Sequence, residues 1–246
     1  MRKLTCIILC LSLLCTLPLA AWATELEETE ALAERDLTID SLEDFLALEE
    51  DCRLDTYSQD LTVSLECDLD LSETEFAGIP TFGGTLEGNG HTISGLMLEG
   101  DGSVQGLFRY LQEAAVVRNL TVEGTLDPSG SRSMIGGIAG SNAGLIENCK
   151  FIGSVSGAEN VGGIVGSNEL NGIIDACRAE GEVHGSHLVG GIAGGNLGVI
   201  RDCANAAQIN VTPEQNSVKI SDITLDTLTD TESAATVTDI PSATPA

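Results

Sequence analysis

The chain has 246 residues, a formal net charge of −27, and 3% aromatic residues against 28 glycines. A charge this negative repels nucleic acid and anionic lipid surfaces, and it suits cations, basic partners or plain solubility. So few large side chains exclude a single bulky core and favour a thin, layered one built from many small turns.

Arg2 and Lys3 precede the apolar run LTCIILCLSLLCTLPLAA, which leads into AWA at 21–23. A basic start, a short apolar stretch and small residues at a cleavage point describe a secretory signal peptide over 1–23. The run is too short to be read as a stable membrane span. The mature chain is therefore expected to be secreted or held at the cell surface, with no membrane span of its own. Cleavage leaves five of the eight cysteines: Cys52, Cys67, Cys149, Cys177 and Cys203. Five is odd, so at least one has no intramolecular partner, while Cys52 and Cys67 could pair in an oxidising compartment. Twelve acidic residues face one arginine in 25–51, and residues 24–40 read as an acidic, flexible leader.

Residues 41–83 read as an N-terminal cap with the first strands. Ser41 precedes LEDFLALEE and places Asp44 at the third helical position, a capping arrangement. Leu42, Phe45, Leu46 and Leu48 supply an apolar face for covering a first coil. LTVSLECDLDL at 61–71 then alternates like one strand, with Val63, Leu65, Cys67, Leu69 and Leu71 on one parity.

From 84 to 211 the chain repeats itself. ISGLMLEG, VRNLTVEGTL, IENCKFIGSV, IDACRAEGEV and IRDCANAAQI align with first residues Ile93, Val117, Ile146, Ile174 and Ile200, at intervals of 24, 29, 28 and 26 residues. Their fourth column is Leu96, Leu120, Cys149, Cys177 and Cys203, and the sixth is Leu98, Val122, Phe151, Ala179 and Asn205. Alternating short strands punctuated by Gly and Asn at this period describe a β-solenoid. The expected fold is all-β: a right-handed parallel β-helix of about five coils, stacked about 4.8 Å apart. A second phrase recurs as IGGIAGSN, VGGIVGSN and VGGIAGGN. Gly136 and Gly137, Gly162 and Gly163, and Gly190 and Gly191 are expected to open strands, with Ile138, Ile164 and Ile192 pointing inward. Gly140, Gly166 and Gly194 are expected at bends of positive φ. Asn142, Asn168 and Asn196 are expected to stack at one corner and hydrogen-bond from coil to coil. Because Leu120 precedes Cys149, Cys177 and Cys203 in the same column, those cysteines read as interior free thiols. A disulfide between neighbouring coils suits parallel side chains poorly. A three-thiolate metal site would need a fourth ligand, and no histidine shares the column.

The stretch VGGIVGSNELNGIIDAC and its copies resemble the GLUG-motif repeats of bacterial secreted and surface proteins, most strongly over 134–210. GTLEGNGHTISGL (84–96) and VQGLF (104–108) resemble the segment that precedes such repeats. The resemblance implies a parallel β-helix outside a Gram-positive-type bacterium, often within large modular proteins, and no single activity. Some proteins with the motif are IgA-specific zinc metallopeptidases, but their H-E-x-x-H signature is absent here: none of His91, His184 and His187 is followed by Glu. No catalytic residue, metal site or cofactor is therefore assigned.

The alternative is a β-helix polysaccharide lyase or hydrolase, which would gather carboxylates in a groove. Its candidates are Asp68 and Asp70, read as the solvated face of a strand, and Glu87 beside His91, read as a turn residue. HGSH at 184–187 reads as a turn. Residues 212–246, rich in Thr, Ser, Asp and Pro, read as a linker-like tail. The favoured expectation is a non-catalytic spacer, adhesin-like or partner-binding scaffold. Its partner would be an extracellular protein or glycan, with end-to-end association or a larger modular context open. Varied turns such as SNELNG (167–172) would present the binding surface.

Overall fold

Short alternating strands whose inward residues are apolar can bury one face only by curling around a common axis. The computed structural model describes residues 35–210; the readings of 1–23 as a signal peptide, of 24–34 as leader and of 212–246 as a linker-like tail lie outside the described residues. Every strand pair within them is parallel, and four sheets run along the axis of a solenoid of about six coils, one more than the repeat alignment suggests.

The first sheet contains Arg35–Ile39, Leu61–Leu65, Thr85–Glu87, Val116–Arg118, Leu145–Glu147, Ile173–Asp175 and Val199–Arg201, in that order. The second holds six strands from Leu69–Asp70 to Ala204–Ile209, and the third five from Ile79–Phe82 to Ala193–Asn196. The fourth has only three: Ser133–Gly136, Glu159–Gly162 and His187–Gly190. Register is strict. Lys150 to Ser156 pair one-to-one with Arg178 to His184, so Phe151 lies on Ala179 and Val155 on Val183. Like side chains thus stack on like, and Val117, Ile146 and Ile174 form one fully buried column.

The N-terminal end departs from expectation. Arg35–Ile39, assigned above to the leader, is a strand paired in register with Leu61–Leu65. Its Leu37 and Ile39 alternate with polar residues, a pattern that the acidic composition masked. The helix Leu42–Asp51 connects these two parallel strands and packs its apolar face on the solenoid core. Ser41 caps it by accepting from the Asp44 N–H, and Phe45 and Leu48 are buried. The Phe45 ring lies 5.5 Å from Phe76. Residues 61–71 are two strands of different sheets, because the chain turns a corner at 66–68.

Two further readings are corrected. First, the glycine pairs close strands; they do not open them. Gly136 and Gly162 end fourth-sheet strands, and Gly137 and Gly163 lie in the corner before the third sheet. A Cβ on Gly137 would come within 2.2 Å of Phe151 Cδ2 and 2.3 Å of its Cγ. Gly140, Gly166 and Gly194 lie within strands, and their φ is not positive. They are glycine because the fourth sheet presses on them: a Cβ on Gly166 would meet Met134 C at 2.4 Å, and one on Gly194 would meet Asn160 C at 2.3 Å. Second, the unit beginning at Ile93 is slipped. Ile93 pairs with Val122, and a bulge between Ile93 and Leu96 places Leu96 beside Gly124. Leu86 is the residue that pairs with Val117. The corner at 88–91 is two residues longer than its counterpart at 119–120, and the bulge adds one more, so a gapless alignment fails here. The last coil, whose Asn205 and Ala207 break the apolar columns, still pairs in register over Ala204–Ile209, because the backbone ladder does not depend on those side chains.

Candidate functional site

The repeat residues are taken up by the interior. Asn142 Nδ2 donates to Asn168 Oδ1 at 2.8 Å, and Asn168 Nδ2 donates to Asn196 Oδ1 at 2.8 Å. The first two also bond corner carbonyls: Asn142 Nδ2 reaches Gly144 O at 3.2 Å, and Asn168 Nδ2 reaches Gly172 O at 3.1 Å. The ladder thus satisfies the polar groups that turning the chain leaves unpaired. In the cysteine column, Cys149 and Cys177 are buried, Cys203 is half-buried, and all three are free thiols. Each Sγ points at the carbonyl two residues back, as Cys177 does to Asp175 O at 3.2 Å. The neighbouring Cys149 sulfur and burial both hold the Cys177 thiol far above its ordinary value, so it stays protonated. Cys52 and Cys67 are also free.

A second ladder was missed. The residue before each column-four position takes left-handed φ: Asn119 57°, Asn148 49°, Ala176 51° and Asp202 54°. Asn148 Nδ2 donates to Asn119 Oδ1 at 2.8 Å, and Asn119 Nδ2 to Glu87 Oε1 at 2.8 Å. The Asn at two of these four positions was the available signal, since Asn tolerates this conformation best after Gly.

The catalytic candidates are engaged in structure. Glu87 accepts from Arg118 Nε at 2.7 Å, from Asn119 and from the Asn89 N–H at 3.1 Å. Partial burial pushes its carboxyl up, but those bonds together hold it below the usual range. Asp68 accepts from the Thr92 N–H at 2.9 Å and pairs with His91 Nδ1 at 3.1 Å, and the two contacts, the backbone one first, lower its carboxyl. His91 therefore partners Asp68, not the nearby Glu87 of the sequence. Asp70 accepts from the Ser72 N–H, which lowers it too. All three are held as anions, the wrong state for a general acid. In HGSH, His184 ends one strand and His187 begins the next, so only Gly185 and Ser186 form the turn. His184 pairs with Glu182 at 3.1 Å. SNELNG projects only in part: Ser167 and Asn168 belong to the third-sheet strand, with Asn168 buried in the ladder, and the turn that follows carries Leu170 exposed at its tip.

One constellation does not repeat. A cleft of about 390 Å³ lies between residues 74–77 and 97–102, with Gln105 and Arg109 on its inner side. Met97 is 57% exposed there. Arg109 Nε donates to Val104 O at 3.2 Å. Gln105 is 5% exposed; its Nε2 donates to Gly100 O at 3.0 Å and Gly102 O at 2.9 Å, and its Oε1 is buried without a donor.

Comparison with known proteins agrees with the repeat geometry. The GLUG motif matches residues 131–156 and 157–183. The chain is 38% identical over 91 residues to halomucin of Haloquadratum walsbyi, a match covering 37% of this chain and 1% of that protein. It is 36% identical over 69 residues to a protein named as a Gly-rich membrane protein in Evansella cellulosilytica, covering 27% of this chain and 8% of that one. No solved structure matches it significantly. Among the described residues, no helix is long and apolar enough to cross a membrane.

Proposed function

The chain carries GLUG-motif repeats on a parallel β-solenoid, and from that premise we propose that it is a non-catalytic, secreted or surface-displayed bacterial module that acts as a spacer and partner-binding scaffold. The carrying observation is how the repeat residues are used. The Asn, Cys and Gly columns satisfy and pack the interior, so they build a rigid rod and leave recognition to side chains that differ between coils. The signal-peptide pattern at 1–23 supports placement outside the cell. The relatives support a large modular context, because this chain spans only 1% and 8% of their lengths.

The test is expression with the native N-terminus in a Gram-positive host, followed by fractionation and protease treatment of intact cells. The expected result is chain in the medium or on the surface, digested by external protease. A chain retained inside, or turnover of a polysaccharide that disappears in Asp68→Asn or Glu87→Gln, overturns the reading.

A further inference from the structure

Comparing the coils position by position singles out Arg109. Its neighbours Phe108 and Tyr110 pair with Ala139 and Ser141, so the matching positions in later coils are Gly140, Gly166 and Gly194. Those positions exclude a side chain because fourth-sheet backbone lies against them. The fourth sheet stops at Ser133–Gly136 and continues toward the N-terminus only as the single bridge of Gln105 to Ile135. Where that layer ends, a long side chain fits and the cleft opens.

We propose that this cleft binds one unit of an uncharged, hydroxyl-rich sugar chain, with Arg109 as donor, Glu75 and Glu99 as acceptors, and Met97 as the apolar platform. Three basic residues elsewhere join coil to coil: Arg118 with Glu87, Lys150 with Glu180, and Arg201 with Asp175. Arg109 makes no ion pair among the described residues, nor do Glu75 and Glu99. Its guanidinium is oriented by Val104 O, with further N–H groups left to donate. Neighbouring sugar hydroxyls each donate and accept, so they match a cation and carboxylates placed side by side. The exposed thioether of Met97 offers apolar contact to the C–H face of a ring. The acidic rim and the net charge of −27 oppose an anionic ligand. Beneath, Gln105 forms a buried polar floor whose Oε1 has no donor. The volume of about 390 Å³ falls within the roughly 300–1,000 Å³ of small-molecule clefts.

This deepens the partner-binding reading and rests on it; failure here leaves the cell-surface protease experiment, which tests that reading, unaffected. The experiment is calorimetric titration of the full chain with neutral xylo-, cello-, manno-, malto- and chito-oligosaccharides, with oligogalacturonate as the anionic comparison. At least one neutral oligosaccharide is expected to bind. Arg109→Gly, which installs the residue that later coils carry, is expected to weaken it about tenfold or more with an unchanged melting temperature. Glu99→Gln, on an exposed side chain, is expected to weaken it as well, and it decides the matter if Arg109→Gly unfolds. Binding of no neutral oligosaccharide, binding of oligogalacturonate alone, or affinity unchanged in Glu99→Gln and in a folded Arg109→Gly overturns the proposal.

Discussion

Asn142 and Asn168 are joined across adjacent coils by a buried 2.8 Å hydrogen bond, amide nitrogen to amide oxygen, and neither side chain is exposed. Each Asn also holds a carbonyl of its own corner, so the bond ties two turns together where water cannot substitute for it. Asn168→Ala removes the acceptor for Asn142 and the donor to both Asn196 and Gly172. A loss of about 2–4 kcal/mol is expected in urea unfolding. Asn196→Ala, at the exposed end of the ladder, is expected to cost roughly 1 kcal/mol or less. Equal losses at the two positions would count against a ladder whose strength depends on burial.

Gly137 faces Phe151 so closely that a methyl group has no space. Gly137→Ala is expected to destabilise by about 2 kcal/mol or more through overpacking. Combined with Phe151→Ala, the two losses should fall short of additive by roughly 1 kcal/mol or more, measured as a double-mutant cycle. Strict additivity would show that the clash is relieved by backbone movement.

Leu188 is exposed, yet it sits at φ 52°, where Asn160 sits at φ 53° one coil earlier. A leucine in this conformation costs about 1 kcal/mol that Asn largely avoids. Leu188→Asn is expected to raise the melting temperature by a few degrees. A lower melting temperature would mean that the leucine side chain contributes packing greater than its strain.

Glu87 is depressed in the folded state by Asn119, Asn89 and Arg118, against the opposing effect of burial. Its contribution is therefore present above the unfolded carboxylate value of about 4.3 and is lost as pH falls through the lower folded value. Glu87→Gln is expected to lower stability at pH 7 and to make less difference at pH 3. Parallel melting curves for the two chains across that window would refute the assignment.

Burial pushes the Cys52 thiol up to about 11, despite a hydrogen bond from Ser58, and Cys149 and burial push Cys177 up. A disulfide reagent at pH 8 is expected to leave Cys52, Cys149 and Cys177 unmodified in the native chain and to modify all three in denaturant, as read by mass spectrometry. Rapid native labelling of Cys177 would place the column at the surface.

Solenoid architecture follows from the residue pattern alone, because each inward column is apolar at a fixed interval and parallel in-register stacking is the arrangement that buries all of them at once. Val117, Ile146 and Ile174, the Cys149 and Cys177 slots and the Asn142, Asn168 and Asn196 corner were all legible that way. What a side chain packs against from another sheet was not. Gly140 and Gly166 read as turn glycines, yet only the pressure of the fourth sheet explains them, and nothing in the repeat pattern marks Arg109. The longer corner at 88–91 and the bulge at Ser94 and Gly95 displaced the first unit without altering its composition, so the pairing of Leu86 with Val117 was decided by the tertiary ladder. Periodicity records which residues face inward within a coil. The distance between one sheet and the next, and the place where a sheet ends, are set by contacts among segments far apart in the chain, and those create the cleft.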